Sequence, residues 1–204
     1  IEYINKGLPE AGLNGCGGKE ASSIIVLSNK EYRLNSQIKI SQSLNIKTNY
    51  EASLTDNVLG RNNAVIKMAG NDRIFYIERS APDSSDVNDQ PIDVALNEVT
   101  LQGCDAATCA DQGGLIYNKE RLKIQYSQLL GGKAREGGAV YNAGIYVANK
   151  SLSFVSIANS IMQNNIAEQG AVIYSEILQY DISRSVIRDN SAKGAGAALF
   201  YARD

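Results

Sequence analysis

Four short segments of the chain end alike, and their likeness restricts the fold more than any other feature. They are Gly113-Gly114-Leu115-Ile116-Tyr117, Gly137-Gly138-Ala139-Val140-Tyr141, Gly170-Ala171-Val172-Ile173-Tyr174 and Gly196-Ala197-Ala198-Leu199-Phe200, separated by steps of 24, 33 and 26 residues. Ala110, Ala134 and Ala167 each stand three residues before the first three copies, and Ala192 stands four before the last. Self-similarity at a period of about 20–50 residues marks a repeat architecture, in which one unit cannot bury its apolar face alone and stacks on its neighbours.

The units are built of strands. With the copies aligned, Leu96, Ile124, Ile157 and Ile182 fall in one column, and Leu101, Leu129, Met162 and Ile187 fall in another five residues on. Parallel strands ordinarily need a crossover of a dozen or more residues, usually a helix. No segment here has an amphipathic helical period. A right-handed parallel β-helix resolves the conflict, because three short sheets per turn make the crossover themselves. The expectation is an all-β solenoid of six or seven rungs, with ~30 Å of coil at ~4.8 Å per rung. The glycine pairs supply corners where a Cβ would collide or φ must be positive. Tyr117, Tyr141, Tyr174 and Phe200 would stack as an aromatic column, and Asn165 and Asn190 as the start of a polar ladder.

The first half is less regular. Segments 23–27, 32–35, 37–40 and 43–47 read as strands, the later three alternating apolar and polar at period two, and strands resume at 64–68 and 74–77. Polar, aperiodic stretches at 49–63 and 78–91 read as loops leaving the coil. Residues 1–22, rich in glycine, read as a cap or lead-in, and 23–204 as one β-helix domain. The chain starts at Ile1 without methionine or a signal-peptide pattern and stops just after a repeat, so it is expected to be a piece of a longer protein whose coil continues past Asp204.

Composition bears on function mainly by exclusion. A net charge of −2 without a basic run lacks the footprint of nucleic-acid binding, and no apolar stretch approaches the ~18 residues of a membrane-spanning helix. Cys104 and Cys109 flank only Asp-Ala-Ala-Thr where other units have a plain turn, so a loop disulfide is expected, in keeping with an oxidising compartment. With Cys16, three cysteines and no histidine do not make a zinc site.

Segments 160–174 and 186–197 follow a hydrophobic-x-x-Asn element, Met162 to Asn165 and Ile187 to Asn190, with a glycine pair whose second member is replaced by Ala171 and Ala197, and in Arg135-Glu136-Gly137-Gly138-Ala139-Val140 the second element is a full Gly-Gly-Ala-aliphatic. These motifs resemble the repeats of the polymorphic outer membrane proteins of bacteria, and related repeats occur in large secreted proteins of the pectin-lyase-like β-helix class. The resemblance covers residues 99–201 well and 23–98 loosely. It departs in the first element, where the family's Phe is replaced by Ile, Met or Leu. The resemblance implies an exported passenger at a bacterial outer membrane or released from it, often adhesive in virulence, whose partner is a protein or glycan on a host or environmental surface. It also implies a fold shared with polysaccharide lyases, which keeps polysaccharide cleavage as the alternative and a structural stalk as a third reading.

A lyase-like site would place acids in adjacent outward columns. The outward columns read from the register are Asn97, Gln125, Ala158 and Ser183; Ala95, Lys123, Ser156 and Asp181; and Gln102, Leu130, Gln163 and Arg188. None holds two successive acids. Asp189 and Glu168 fall at turns, where such residues bond the backbone. Asp83, Asp86, Asp89 and Asp93 cluster in and after the second loop and read as a solvated acidic stretch, with calcium held by their oxygens as the alternative. No catalytic, cofactor or metal residues are assigned, and partner contact is expected at the loops, since loops on a rigid scaffold carry recognition.

Overall fold

The computed structural model describes residues 23–49, 63–79, 91–144, 146–147, 150–151 and 153–202. The expected cap at 1–22, most of both expected loops, and Asp83, Asp86 and Asp89 lie outside these residues.

The described chain is all-β and coils through three six-stranded parallel sheets. Sheet 1 stacks Ser23–Leu27, Leu44–Thr48, Asp93–Asn97, Arg121–Gln125, Phe154–Ala158 and Tyr180–Ser183. Sheet 2 stacks Glu31–Leu34, Ala64–Met68, Val99–Gln102, Gln128–Leu130, Ile161–Gln163 and Val186–Arg188. Sheet 3 stacks Ile38–Ile40, Phe75–Ile77, Ile116–Asn118, Val140–Asn142, Ile173–Ser175 and Leu199–Tyr201. Each turn of the chain visits sheets 1, 2 and 3 once, so the architecture is a parallel β-helix of six rungs.

The interior follows from the period-two pattern. The column Leu96–Ile124–Ile157–Ile182 is in register, as is Leu101–Leu129–Met162–Ile187. Downward these columns continue to Ile46 and Ile66, so the two irregular rungs join the same core. In the middle rungs these side chains are fully buried, whereas Ile187 in the last rung is 38% exposed because no rung covers it.

Each corner has its own solution. At the first corner, from sheet 1 to sheet 2, a single left-handed residue turns the chain in the last four rungs, Glu98, Tyr126, Asn159 and Arg184 with φ between 47° and 56°, whereas the second rung has the insertion 49–63 there. In three rungs a serine follows. The Ser127, Ser160 and Ser185 hydroxyls accept the backbone N–H of Val99, Ser127 and Ser160 in the rung below, and each donates to the carbonyl two residues earlier at 2.7–2.8 Å. The second corner, from sheet 2 to sheet 3, repeats a left-handed residue at Gly131, Asn164 and Asp189. Asn165 there accepts from Gly132 N and donates to Leu129 O and Asn190 Oδ1, which makes the expected asparagine ladder. The same stretch holds the Cys104–Cys109 disulfide, whose Cα atoms are 5.7 Å apart.

Farther along this stretch, Gly113, Gly137, Gly170 and Gly196 all have φ between 62° and 69°. A Cβ on Gly137 would also overlap Val140 O, so both expected reasons for glycine hold at this position.

The third corner, from sheet 3 to sheet 1, varies in length. Lys119 and Glu120 suffice between the third and fourth rungs. Between the fourth and fifth, the chain leaves the coil after Ala143 and returns at Ser153, with Tyr146–Val147 and Lys150–Ser151 paired antiparallel. This hairpin accounts for the long step of 33 residues between the second and third repeats.

Candidate functional site

Two outward surfaces carry chemistry. On sheet 3, Tyr76, Tyr117, Tyr141, Tyr174 and Phe200 stack with centroids 4.8–5.3 Å apart. The column is the expected one, extended downward by Tyr76. Sequence reading missed Tyr76 because Arg73-Ile74-Phe75-Tyr76 lacks the glycine pair that marks the other copies.

The ring faces in this stack are already occupied by other rings. Arg73 lies 5.7 and 5.3 Å from the Tyr76 and Tyr117 centroids, and Lys39 and Lys119 approach the same rings. Sugars stack on free aromatic faces, and within this column those faces are spent on structure. Burial raises the phenol pKa of Tyr76, Tyr117 and Tyr141, and for Tyr141 a hydrogen bond to Glu176 adds to the effect. Burial also lowers the Arg73 guanidinium below the ordinary arginine value, against the pull of Asp72. Beside the stack, Lys119 Nζ lies 2.6 Å from Glu78. Burial alone would raise the Glu78 carboxyl, but its bonds from Lys119 and Tyr76 bring it below the ordinary carboxylate value. Burial alone would lower the Lys119 ammonium, but the Glu78 bond together with the charges of Tyr117, Tyr76 and Glu78 holds it above the ordinary lysine value.

The second surface is a groove of roughly 350 Å³ on the outer face of sheet 1. Its floor is two adjacent columns. Ala95, Lys123 and Ser156 form the one read from the sequence, and Asp93, Arg121 and Phe154, each opening its strand at the third corner, form the other. Arg121 Nε lies 2.8 Å from Asp93 Oδ1, its Nη2 donates to Asp93 Oδ2 at 3.0 Å, and Nη2 also reaches Pro91 O at 3.4 Å. Asp93, expected in a solvated acidic stretch, is exposed and pairs with the partly exposed Arg121 guanidinium. Phe154 is 36% exposed. Lys123 is exposed and has no ion-pair partner among the described residues. Ala95 keeps the groove open by having only a methyl group between these longer side chains.

The chemistry offered is an aromatic surface beside a paired guanidinium and an exposed ammonium, with a hydroxyl at Ser156. This suits recognition of a ligand that combines an apolar face with anionic or hydrogen-bonding groups. Asp181 follows Ser156 in the register and is exposed. Gln163 and Arg188 lie on sheet 2 and bond one another, and Asp189 bonds Gln163 at 3.2 Å. The structure does not gather these residues with the groove.

Beneath the groove is a residue that the sequence reading passed over. Glu120 is fully buried in the two-residue turn of the third corner. Its carboxylate accepts Arg79 N at 3.1 Å and Ile92 N at 3.0 Å and faces the buried Arg79 guanidinium at 3.7 Å. Locally, Asn118-Lys119-Glu120-Arg121 reads as a polar surface turn, and nothing in it signals burial. Among the described residues no group of three or more potential metal ligands converges.

Compared with known proteins, the chain matches no family model, no curated protein and no solved structure.

Proposed function

We propose that this chain is a non-enzymatic binding domain, an adhesive passenger segment of a bacterial surface or secreted protein, whose coil holds a contact surface at its third corner. The observation that carries the reading is the sheet 1 groove. It offers Phe154 for apolar contact and Lys123 for an anionic group, while its carboxylate Asp93 is engaged by Arg121. The repeat motifs resembling polymorphic outer membrane proteins support the passenger role. The Cys104–Cys109 bridge supports an oxidising, extracytoplasmic location.

The test is to screen the purified chain against host cells, matrix proteins and glycans, and in parallel to assay acidic polysaccharides for release of unsaturated or reducing ends with and without calcium. Binding that falls at least tenfold in Lys123→Ala and Phe154→Ala, without cleavage, is the expected result. Cleavage without binding elsewhere would replace this reading with a polysaccharide-degrading one. Neither binding nor cleavage would leave the coil as a stalk.

A further inference from the structure

The groove's outer column, Asp93–Arg121–Phe154, opens three successive strands, and all three openings are tied to a single residue. The Glu120 carboxylate accepts Ile92 N, immediately before Asp93. Arg121 follows Glu120 in the chain. The Glu120 carbonyl accepts Phe154 N at 3.1 Å. The same carboxylate accepts Arg79 N, so it holds both described ends of the excursion between the second and third rungs. Its own turn is fixed in return by Asn118, which donates to Glu120 O at 2.7 Å and accepts Glu120 N at 3.2 Å, and which bonds Asn142 on the next rung.

The device recurs two rungs higher. Glu176, in the turn after the fifth rung, accepts Gly144 N at 2.9 Å where the hairpin excursion departs, and its other oxygen bonds Tyr141. In each case a glutamate in the shorter turn above reaches the longer excursion below, Glu120 satisfying two of its backbone donors and Glu176 one, together with the Tyr141 hydroxyl.

We propose that Glu120 is the positioning residue of the groove: one buried carboxylate and its carbonyl set the spacing of Asp93, Arg121 and Phe154. Glu120 does not line the groove and acts only through those three residues. The proposal rests on reading the groove as the contact surface, but its test needs no ligand, so the two fail separately.

In the whole chain, backbone amide exchange is measured by NMR for wild type, Glu120→Gln, Glu120→Ala and Glu176→Gln. The reactivity of Arg121 toward phenylglyoxal is followed by mass spectrometry on the same samples. Glutamine keeps the shape but offers one acceptor oxygen in place of two. Glu120→Gln is therefore expected to speed exchange about tenfold at one of Arg79 and Ile92, and to raise Arg121 modification severalfold. Leu122 and Ile124 should keep their rates. Glu120→Ala, where it folds, should speed exchange at both amides, and Glu176→Gln should leave Arg79, Ile92 and Arg121 unchanged. Unchanged exchange at Arg79 and Ile92 in Glu120→Gln would overturn the proposal. So would equal acceleration at Leu122 and Ile124, because Glu120 would then support the coil as a whole and not the groove.

Discussion

In the last four rungs the first and third corners differ in how they satisfy the backbone, and there the first keeps one or two residues between strands while the third varies from two to eleven. At the first corner, the Ser127, Ser160 and Ser185 hydroxyls reach only adjacent backbone. Each of these turns keeps one left-handed residue before its serine, and in the second rung the Thr48 hydroxyl meets the returning end of the 49–63 insertion by accepting Ala64 N at 2.9 Å. At the third corner Glu120 and Glu176 reach farther and accept two partners each. A long charged acceptor on the next rung can satisfy N–H groups at the ends of an insertion, so the coil tolerates loops there without stranding backbone donors. The outward surface with binding chemistry lies at the third corner.

The largest effect expected in this comparison is at the third corner. Glu120→Ala removes the carboxylate facing the buried Arg79 guanidinium and strands two backbone donors, a loss of ~3–5 kcal/mol, measurable by denaturant unfolding. Next comes a pair of glycines. Gly137→Ala combines a left-handed φ of 68° with a clash against Val140 O and should cost at least ~2 kcal/mol. Gly131→Asn should stay within ~0.5 kcal/mol, because its Cβ meets nothing and the equivalent position one rung up is Asn164. If both substitutions cost the same, crowding does not separate the two positions.

At the first corner, Ser160→Ala leaves Ser127 N without its acceptor and is expected to lower stability by ~1–3 kcal/mol. A loss as large as that of Glu120→Ala would abolish the contrast between the corners.

The pH response should separate the regions more gently. Tyr76, Tyr117 and Tyr141 have folded pKa values raised above the ordinary 10.0, so their contribution is complete below pH 10 and is lost as pH rises beyond it. Melting temperature should therefore fall above pH 10, and Tyr→Phe changes at these positions should flatten the fall. In acid, the two carboxylates oppose each other. Glu78, lowered below 4.5, contributes stability above that value and loses it as pH drops through its folded pKa. Glu98 at the first corner is raised above 4.5 by burial, against the pull of Lys47; the stability linked to its protonation is complete below 4.5 and lost as pH rises through its folded pKa. At pH 7, Glu98→Gln should raise the melting temperature slightly and Glu78→Gln should lower it.

Much of the fold was legible from residues because the coil writes its register into the chain at every turn. The Leu96 and Leu101 columns, the aromatic column and the Gly137-type corner are local patterns repeated once per rung, and alignment of the repeats reads them directly. The asparagine ladder was legible for the same reason. The first corner was not, since Glu98, Tyr126, Asn159 and Arg184 share only a backbone conformation and no side-chain type. Tyr76 escaped for want of the glycine pair, and the hairpin at 146–151 left only a lengthened step between repeats.

The sequence by itself determined the parallel coil, because columns of aliphatic residues that recur once per repeat, at steps of 24 to 33 residues without a helical crossover, bury themselves by stacking short parallel strands. Only the tertiary structure decided which surface gathers chemistry. Glu120 meets Arg79 and Ile92 across 41 and 28 residues of chain, and Asp93, Arg121 and Phe154 become neighbours only when three strands start side by side. Contacts between rungs depend on how many residues each excursion inserts, and the pattern within a rung does not encode that number.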